Sequence, residues 1–290
     1  MKKVFLILLN YLNYDETIKC TLNLLSQKKI DLKIVIVDNC SPNDSFKIIK
    51  EKFIKNDQVF VINSERNGGY SYGNNFGINF IKNHSFDFIL ISNSDIEITD
   101  DKLIYKMAQR YNQINNCALV APVALENGKI SNYFAWKLPT LFDDLMGSLT
   151  LTDTMYRKNR IYKLEKKSEK MLVDCVPGSF FMVSKEIFFK LNLFDENIFL
   201  YNEESILAFK AKQMGLNSYI FTDLFYEHNK SKIISSVFSP YKMRKLLIDS
   251  RLYFHEHYLK SNPIGVLFLR LLLYLWYIEY FIKSLIKSKY

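Results

Sequence analysis

Lys33–Ser41 reads KIVIVDNCS. Ile34, Val35, Ile36 and Val37 follow one another with no polar residue between them, which suits a strand buried on both faces, as in a parallel sheet. The run stops at Asp38 and Asn39, so a carboxylate and an amide mark its end. The same design recurs on either side. VFLILL (Val4–Leu9) stops at Asn10 and Tyr11, VFVI (Val59–Ile62) at Asn63 and Ser64, and FDFILIS (Phe86–Ser92) at Asn93-Ser94-Asp95. Helix-length stretches separate them, at Asp15–Lys28, Asp44–Lys55 and Tyr72–Lys82. Strand–helix alternation at this spacing predicts βαβ units with right-handed crossovers, hence an α/β fold with a mostly parallel central sheet flanked by helices.

A helix over Asp101–Asn115 and a strand over Ala118–Ala121 continue the pattern, and Glu126–Met171 reads as irregular, with the charged run KKSEK at Lys166–Lys170. A second block opens near Leu172 with LVDCV, a Pro177-Gly178-Ser179 turn and FFMVS. A helix from about Glu203 to Met214 and a late strand over Asn217–Thr222 follow.

The 290 residues are 49% apolar and 24% charged, which excludes wholesale disorder. The net charge of +9 is concentrated at one end. Residues 230–290 hold eleven Lys and Arg against three Asp and Glu, a net +8, which leaves +1 for residues 1–229. A uniformly basic nucleic-acid binder would not be charged in this way. A basic segment mixed with long apolar runs points to an anionic membrane surface, with a solvated basic helix pair as the alternative. Ile264–Ile282 is almost wholly apolar and about long enough to span a bilayer. Arg270 and Glu279 within it oppose insertion, and Glu279, Lys283 and Lys287 form one charged stripe beside Trp276 and Tyr280. That pattern favours a helix lying in the interface, with a core or oligomer-forming helix as the alternative. Cys20, Cys40, Cys117 and Cys175 are far apart, so neither zinc spacing nor a disulfide framework is expected, and a reduced cytosolic setting is. Met1-Lys2-Lys3 before an apolar run imitates a signal peptide, but the run is too short and no small-residue cleavage site follows.

In parallel sheets ligands bind at the carboxyl ends of the strands, and four strand ends here deliver amides and carboxylates. Four of the nine glycines lie in NGGYSYGNNFG (Asn67–Gly77), which is neither a P-loop nor a dinucleotide fingerprint. It reads equally as a tight turn into a closely packed helix and as a loop whose backbone approaches a ligand. Asp95, directly after a buried strand, can hold Mg²⁺ or Mn²⁺ with diphosphate oxygens and water, or cap a turn. Glu203 and Glu204 open a helix, where the helix dipole tolerates acids, or one of them accepts a proton from a hydroxyl. His228 stands at the exit of the late strand, structural or a metal ligand.

LNYLNYDET (Leu9–Thr17), VDNCS (Val37–Ser41), ERNGGYSYGNNFGI (Glu65–Ile78), NSD (Asn93–Asp95), PGSFFMVSKEIF (Pro177–Phe188) and LFDENIFLYNEE (Leu193–Glu204) together resemble inverting family 2 glycosyltransferases, and most closely their rhamnosyltransferase-like branch in bacterial polysaccharide assembly. The resemblance spans roughly residues 3–230. It implies a GT-A fold with a Rossmann-like sheet, a UDP- or dTDP-sugar donor and a divalent metal. On it, Asp38 faces the donor's base, with Leu9, Asn10 and Tyr11 lining the same pocket, and Asn67 and Asn75 fall on a donor-side loop. Asn93, Ser94 and Asp95 form an NxD version of the metal-binding motif, His228 is a second metal contact, and Glu204 is the catalytic base. The acceptor is then a glycan or a polyprenyl-diphosphate-linked sugar for capsule or O-antigen, used at the cytoplasmic face of the membrane. The domain is 1–229, and 230–290 is a helical extension that associates with membrane or forms a homo-oligomer. The family usually reads Glu-Asp at the base, another acid two residues on, then Arg, where this chain has Glu203-Glu204, Ile206 and Lys210. A non-catalytic nucleotide-sugar binder and a sugar-phosphate nucleotidyltransferase stay open as alternatives.

Overall fold

Four apolar runs form β1 (Lys3–Asn10), β2 (Asp31–Asp38), β3 (Val59–Asn63) and β4 (Phe88–Ser92). In the computed structural model, which describes residues 1–148, 159–165, 168–229 and 238–287, they lie in the order β3-β2-β1-β4 and pair in parallel. Val4–Leu8 and Ile34–Val37 are buried throughout, which is why these runs show no polar alternation. The register sets Asn10 opposite Asp38, Asp38 opposite Asn63 and Leu8 opposite Ser92. Because the strands run the same way, the polar residues that end them emerge in one row at one edge of the sheet.

Beyond β4 the sheet is mixed. β9 (Phe180–Ser184) enters antiparallel between β4 and β6 (Cys117–Glu126). β10 (Asn217–His228) runs parallel to β6, and the two-residue β5 (Ile96–Glu97) pairs antiparallel with its end. β7 (Lys129–Ile130) and β8 (Lys170–Val173) add short antiparallel partners to β6 and β10. The late strand does not stop at Thr222. A register shift between Phe221 and Phe225 absorbs the irregularity and carries β10 on to His228. The parallel order expected from the sequence holds for β1–β4 and for the β6–β10 pair, and β9 interrupts it.

Helices α1 (Tyr14–Leu24), α2 (Ser45–Phe53), α3 (Gly69–Ile81) and α4 (Leu103–Tyr111) alternate with these strands. The glycine cluster lets α3 lie close on the sheet. A Cβ at Gly73 would sit 2.4 Å from Leu9 Cδ1, and one at Gly77 would sit 2.7 Å from Val37 Cγ2. Gly69 has φ +86°, and a Cβ there would lie 2.0 Å from the backbone oxygen of Phe199, which cannot swing aside. Gly69→Ala therefore combines a left-handed backbone with a main-chain clash. It is expected to destabilise the fold by about 2–4 kcal/mol, read as a lowered urea midpoint.

The stretch expected to be irregular contains α5 (Leu141–Met146), capped by a reciprocal Thr140–Asp143 box. α6 (Lys185–Lys190) and α7 (Glu203–Gln213) follow. The basic segment forms α8 (Pro240–Tyr253), a π-turn (Phe254–Tyr258) and α9 (Pro263–Lys287). It folds back on the rest of the chain. Ile248, Leu252, Val266, Leu269 and Leu273 pack with Leu141 and Leu145 of α5, and Phe254 packs with Ile198 and Ile206. The other face of α9 is apolar too, and Ile264, Leu267, Phe268, Leu271, Leu275 and Ile278 are more than half exposed. The side chains of Trp276, Glu279, Tyr280, Lys283 and Lys287 lie outside the described residues, as do Lys166 and Lys167 of the KKSEK run. Among the described residues no helix is long and apolar enough to cross a membrane.

Candidate active site

The row of strand ends is tied together by its own side chains. Asn10 Nδ2 donates to Asp38 Oδ2 at 2.6 Å, and the Ser41 amide donates to Asp38 Oδ1 at 2.7 Å. Thr17 Oγ1 donates to Asn10 Oδ1 at 2.6 Å, which fixes the orientation of that amide. Asn39 Nδ2 donates to Asn67 Oδ1 at 3.1 Å and to the Gly69 carbonyl at 3.0 Å, so the loop before α3 is drawn to the end of β2. Asn10, Asp38 and Asn67 thus converge, with Tyr11 half-buried beside them and Leu9 packed beneath Gly73. Asn75 stands apart. Its amide donates to the Phe194 carbonyl and to Glu196 Oε1, at 3.0 and 2.8 Å, and its oxygen accepts from the Phe194 amide, which joins α3 to the turn before α7.

The second group sits where β5 meets β10. Pairing of His228 with Ile96, and an Asn229 amide donating to the Asp95 carbonyl at 2.8 Å, bring His228 Nε2 to 3.3 Å from Asp95 Oδ1. One carboxylate and one imidazole suit a divalent cation of the Mn²⁺ or Mg²⁺ kind, with the remaining positions left for phosphate oxygens and water. No cluster of three or more acid, His or Cys side chains able to hold a metal occurs among the described residues. Among the described residues, Asp95 and His228 are thus a pair that could hold such an ion only with further oxygen ligands from phosphate or water.

The third group is organised by the Pro177–Ser179 turn. The Gly178 amide donates to Glu204 Oε1 at 3.2 Å, and the Gly178 carbonyl accepts from Tyr70 Oη at 2.7 Å. The Ser179 carbonyl accepts from the Asn93 amide at 2.9 Å, and Ser179 Oγ shares a 2.7 Å hydrogen bond with Tyr226 Oη. One turn thus holds α7, α3, the end of β4 and β10. A Cβ on Gly178 would lie 2.5 Å from Glu204 Oε1, so a larger residue there would push the carboxylate from this position. Glu203, Glu204, Asn93, Tyr70 and Trp136 line one cavity of about 420 Å³, within the range of small-molecule sites. Asp95 and His228 are not among the residues that line this cavity. Burial first, then the charges of Asp95, Glu126 and Glu204, push up the pKa of Tyr226 against the opposing effect of Ser179.

Glu203 is buried, and its Oε1 has no hydrogen-bond partner among the described residues. Burial, followed by the charge of Glu204, pushes its pKa up to about 8. Burial also raises Glu204, opposed by its own amide and by the Gly178 N–H, both of which favour the ionised form. The amides of Glu203 itself and of Tyr201 oppose the rise at Glu203 in the same way, so the two carboxyls titrate as one buried pair, with the Gly178 amide favouring charge on Glu204. A raised pKa means that the folded chain holds a proton there more tightly than the unfolded one, so stability is lost as pH rises from the ordinary carboxylate range through about 8. Glu203→Gln keeps the neutral form. Its stability is expected to match wild type near pH 4 and exceed it at pH 8 by on the order of 2–4 kcal/mol, measured by urea unfolding across that range.

Two departures seen in the sequence have structural counterparts. Ile206 is buried against Ile198 and Phe254, so the C-terminal segment occupies the ground where a polar contact was expected. Lys210 Nζ donates to the Leu193 carbonyl at 3.0 Å, away from the cavity. The sequence reading did not single out Tyr70, Trp136, Arg160 or Arg251, all of which line the cavity. Arg251 lies within the basic segment, where nothing in the pattern set it apart from its neighbours.

Residues 5–191 match the model of the family described as "Glycosyl transferase family 2". The chain is 27% identical over 213 residues to the low-salt glycan biosynthesis hexosyltransferase Agl10 of Haloferax volcanii, covering 73% of this chain and 62% of that protein. It is 26% identical over 176 residues to the rhamnosyltransferase WbbL of Escherichia coli K12, covering 57% of this chain and 63% of that protein. The chain thus aligns with less than two thirds of the length of either relative. Among solved structures it is similar to the mannosyltransferase PcManGT of Pyrobaculum calidifontis in complex with GDP-mannose and Mn²⁺, with a TM-score of 0.60 at 12% identity, over 93% of this chain and 69% of that one. That likeness is one of fold, the GT-A arrangement of a central sheet flanked by helices. With well over half of its length matched by the family model, this chain belongs to glycosyl transferase family 2.

Proposed function

We propose that this chain is an inverting glycosyltransferase. It moves a sugar from a UDP- or dTDP-linked donor to a hydroxyl of a glycan or polyprenyl-diphosphate-linked acceptor in cell-surface polysaccharide synthesis. The observation that carries the reading is the placement of Glu204. Its carboxylate is held by the Gly178 amide in the cavity that also receives Asn93, the first residue of the Asn93–Asp95 tripeptide.

Each group has a task on this reading. Asp38, set by Asn10 and the Ser41 amide, receives the donor's base at the strand ends. Asp95 and His228 would hold a divalent cation together with oxygens of the donor's diphosphate. A divalent ion there would offset the negative charge of the departing diphosphate. Glu204 accepts the proton of the acceptor hydroxyl as its oxygen attacks the anomeric carbon and the bond to the diphosphate breaks. Attack from the side opposite the leaving group inverts the configuration. Glu203 keeps the second proton, so that its neighbour remains the base. The mannosyltransferase of like fold is named for a bound sugar nucleotide and Mn²⁺, which supports the same pairing here.

The exposed stripe of α9 and the positive charge of residues 230–290 support contact with an anionic lipid surface, where a polyprenyl-linked acceptor resides. On this reading the protein works at the cytoplasmic face of the membrane. It is expected to float with vesicles containing phosphatidylglycerol and not with neutral phosphatidylcholine vesicles. Leu267→Glu combined with Leu271→Glu is expected to reduce flotation at least about tenfold. Flotation indifferent to both lipid charge and this variant would assign the stripe to self-association, checked by light scattering.

Nucleotide release is the direct test. UDP-, dTDP- and GDP-sugars are screened with and without Mn²⁺ and short glycan acceptors. Release that requires both metal and acceptor supports transfer. Sugar-nucleotide binding without release under any acceptor would favour a non-catalytic binding protein.

A further inference from the structure

Just before Glu203 and Glu204 the chain adopts a shape that its residues do not favour. Asparagine at the start of a helix ordinarily has extended backbone and caps the helix with its side chain. Asn202, at the start of α7, does neither. Its φ is +65°, and its side chain makes no capping bond. Tyr201 before it is left-handed as well, at φ +75°. Such backbone is unfavourable for a residue with a bulky side chain, and it persists only where the surroundings enforce it. Tyr201 and Asn202 both line the cavity that receives Glu203 and Glu204.

The C-terminal segment supplies that enforcement. Asn202 Nδ2 donates to Ser250 Oγ on α8 at 3.0 Å. Ser250 is buried, and its hydroxyl donates to the Leu247 carbonyl at 3.1 Å, which leaves its oxygen to accept. The Asn202 carbonyl accepts from the Ile206 amide at 2.9 Å and so closes the first turn of α7, the turn that carries both acids. The same segment grips the chain on either side of the left-handed pair. Tyr253 and Tyr258 donate to Asp195 Oδ2 at 2.9 and 2.5 Å, and Phe254 packs on Ile198 and Ile206. All of these residues lie beyond residues 5–191, the part that the family model matches.

We propose that Asn202 and Ser250 are positioning residues: the bond between them holds the left-handed turn and so aims the Glu204 carboxylate at the acceptor hydroxyl. This rests on the glycosyltransferase reading, in which Glu204 is the base. It makes α8 part of the machinery that sets the base, although α8 is remote in sequence from the strand ends that receive the donor.

The test compares Asn202→Ala, Ser250→Ala, the double variant and Asn202→Gly on the full chain, with Asp249→Asn, exposed on the same helix, as control. Turnover is read as nucleotide release with the donor and acceptor that the screen above selects, and UDP binding with Mn²⁺ is read by calorimetry. Each alanine variant is expected to lose at least about tenfold in kcat, the scale of a misplaced catalytic group, while the acceptor KM and the UDP affinity stay within about twofold of wild type. The double variant should fall no further than either single one, because one bond is being removed. Asn202→Gly should retain at least threefold more turnover than Asn202→Ala, since glycine takes the left-handed backbone without steric cost. Hydrogen exchange of peptides covering residues 201–207 should quicken at least tenfold in both alanine variants and match wild type in Asp249→Asn. Unchanged kcat in both alanine variants, additive losses in the double variant, or a fall in kcat accompanied by equal losses in UDP affinity overturns the positioning role alone. The last of these is also what general misfolding would give, and urea midpoints on the same proteins identify it. A wild type that binds UDP but releases no nucleotide with any acceptor overturns the glycosyltransferase reading, and the positioning role with it.

Discussion

Glu204→Gln is expected to lower turnover by about 10²–10⁴-fold, the usual contribution of a positioned general base, while sugar-nucleotide affinity stays within about twofold of wild type. The amide keeps the size of the side chain and can still accept from the Gly178 amide, so the turn that joins four elements survives. What is lost is the ability to take a proton. The pH profile should follow. Burial raises the Glu204 pKa, so wild-type activity should fall as pH drops through a value above the ordinary carboxylate range, and this acid limb should vanish from the residual activity of the glutamine variant. Glu203→Gln separates the two acids. It should keep most activity, because the Gly178 amide positions the carboxylate of Glu204 and not that of Glu203. Loss of turnover in Glu203→Gln with retention in Glu204→Gln would reverse the assignment.

Asp95→Asn is expected to weaken Mn²⁺-supported sugar-nucleotide binding by at least about 100-fold, since even the outer partners of a metal ligand are typically worth 10–100-fold. The substitution preserves volume and the Asn229-to-Asp95 backbone bond, so β5 and β10 stay paired. His228→Gln should show the same effect in smaller measure, because on the proposed reading His228 is the second protein ligand of the ion. Both variants should leave metal-free nucleotide binding at Asp38 almost unchanged, which equilibrium dialysis with and without Mn²⁺ would show. Equal losses with and without metal would instead point to damage at the strand ends.

The strand ends were legible because unbroken apolar runs have one stable setting, inside a sheet covered on both faces. Once β1, β2 and β3 are parallel, the register places Asn10, Asp38 and Asn63 in a row. The closeness of Asp95 to His228 depends instead on β5–β10 pairing across more than 130 residues, and on a register shift that no local pattern announces. The alternation of buried Leu224 and Tyr226 with exposed Asp223 and Phe225 does carry a strand signal past Thr222. Helix α5 was equally readable in principle from the Thr140–Asp143 cap, but its apolar stretch is only one and a half turns long. The glycine cluster illustrates a different limit. Composition could not separate a packing role from a ligand role, whereas the proximity of Gly73 to Leu9 and of Gly77 to Val37 assigns packing to both. Asn75 reads as a loop amide in sequence and is a clamp between α3 and the turn at Phe194 and Glu196 in space. The place of Arg251 in the cavity lining was hidden because charge counts treat it like any other residue of the basic segment, while its position depends on Ser250 meeting Asn202.

A transferase built in this way needs a cation beside Asp95 and a proton acceptor at Glu204 to serve one sugar. Crystals grown with Mn²⁺ and UDP, and separately with dTDP or GDP, would locate the ion by its anomalous scattering. The expected result is a peak within coordination distance of both the Asp95 carboxylate and His228 Nε2, bridged to the diphosphate, whose terminal phosphate faces the cavity of Glu204. A diphosphate bound with its terminal phosphate turned away from that cavity, or a manganese ion held elsewhere while the nucleotide occupies the strand ends, would contradict it.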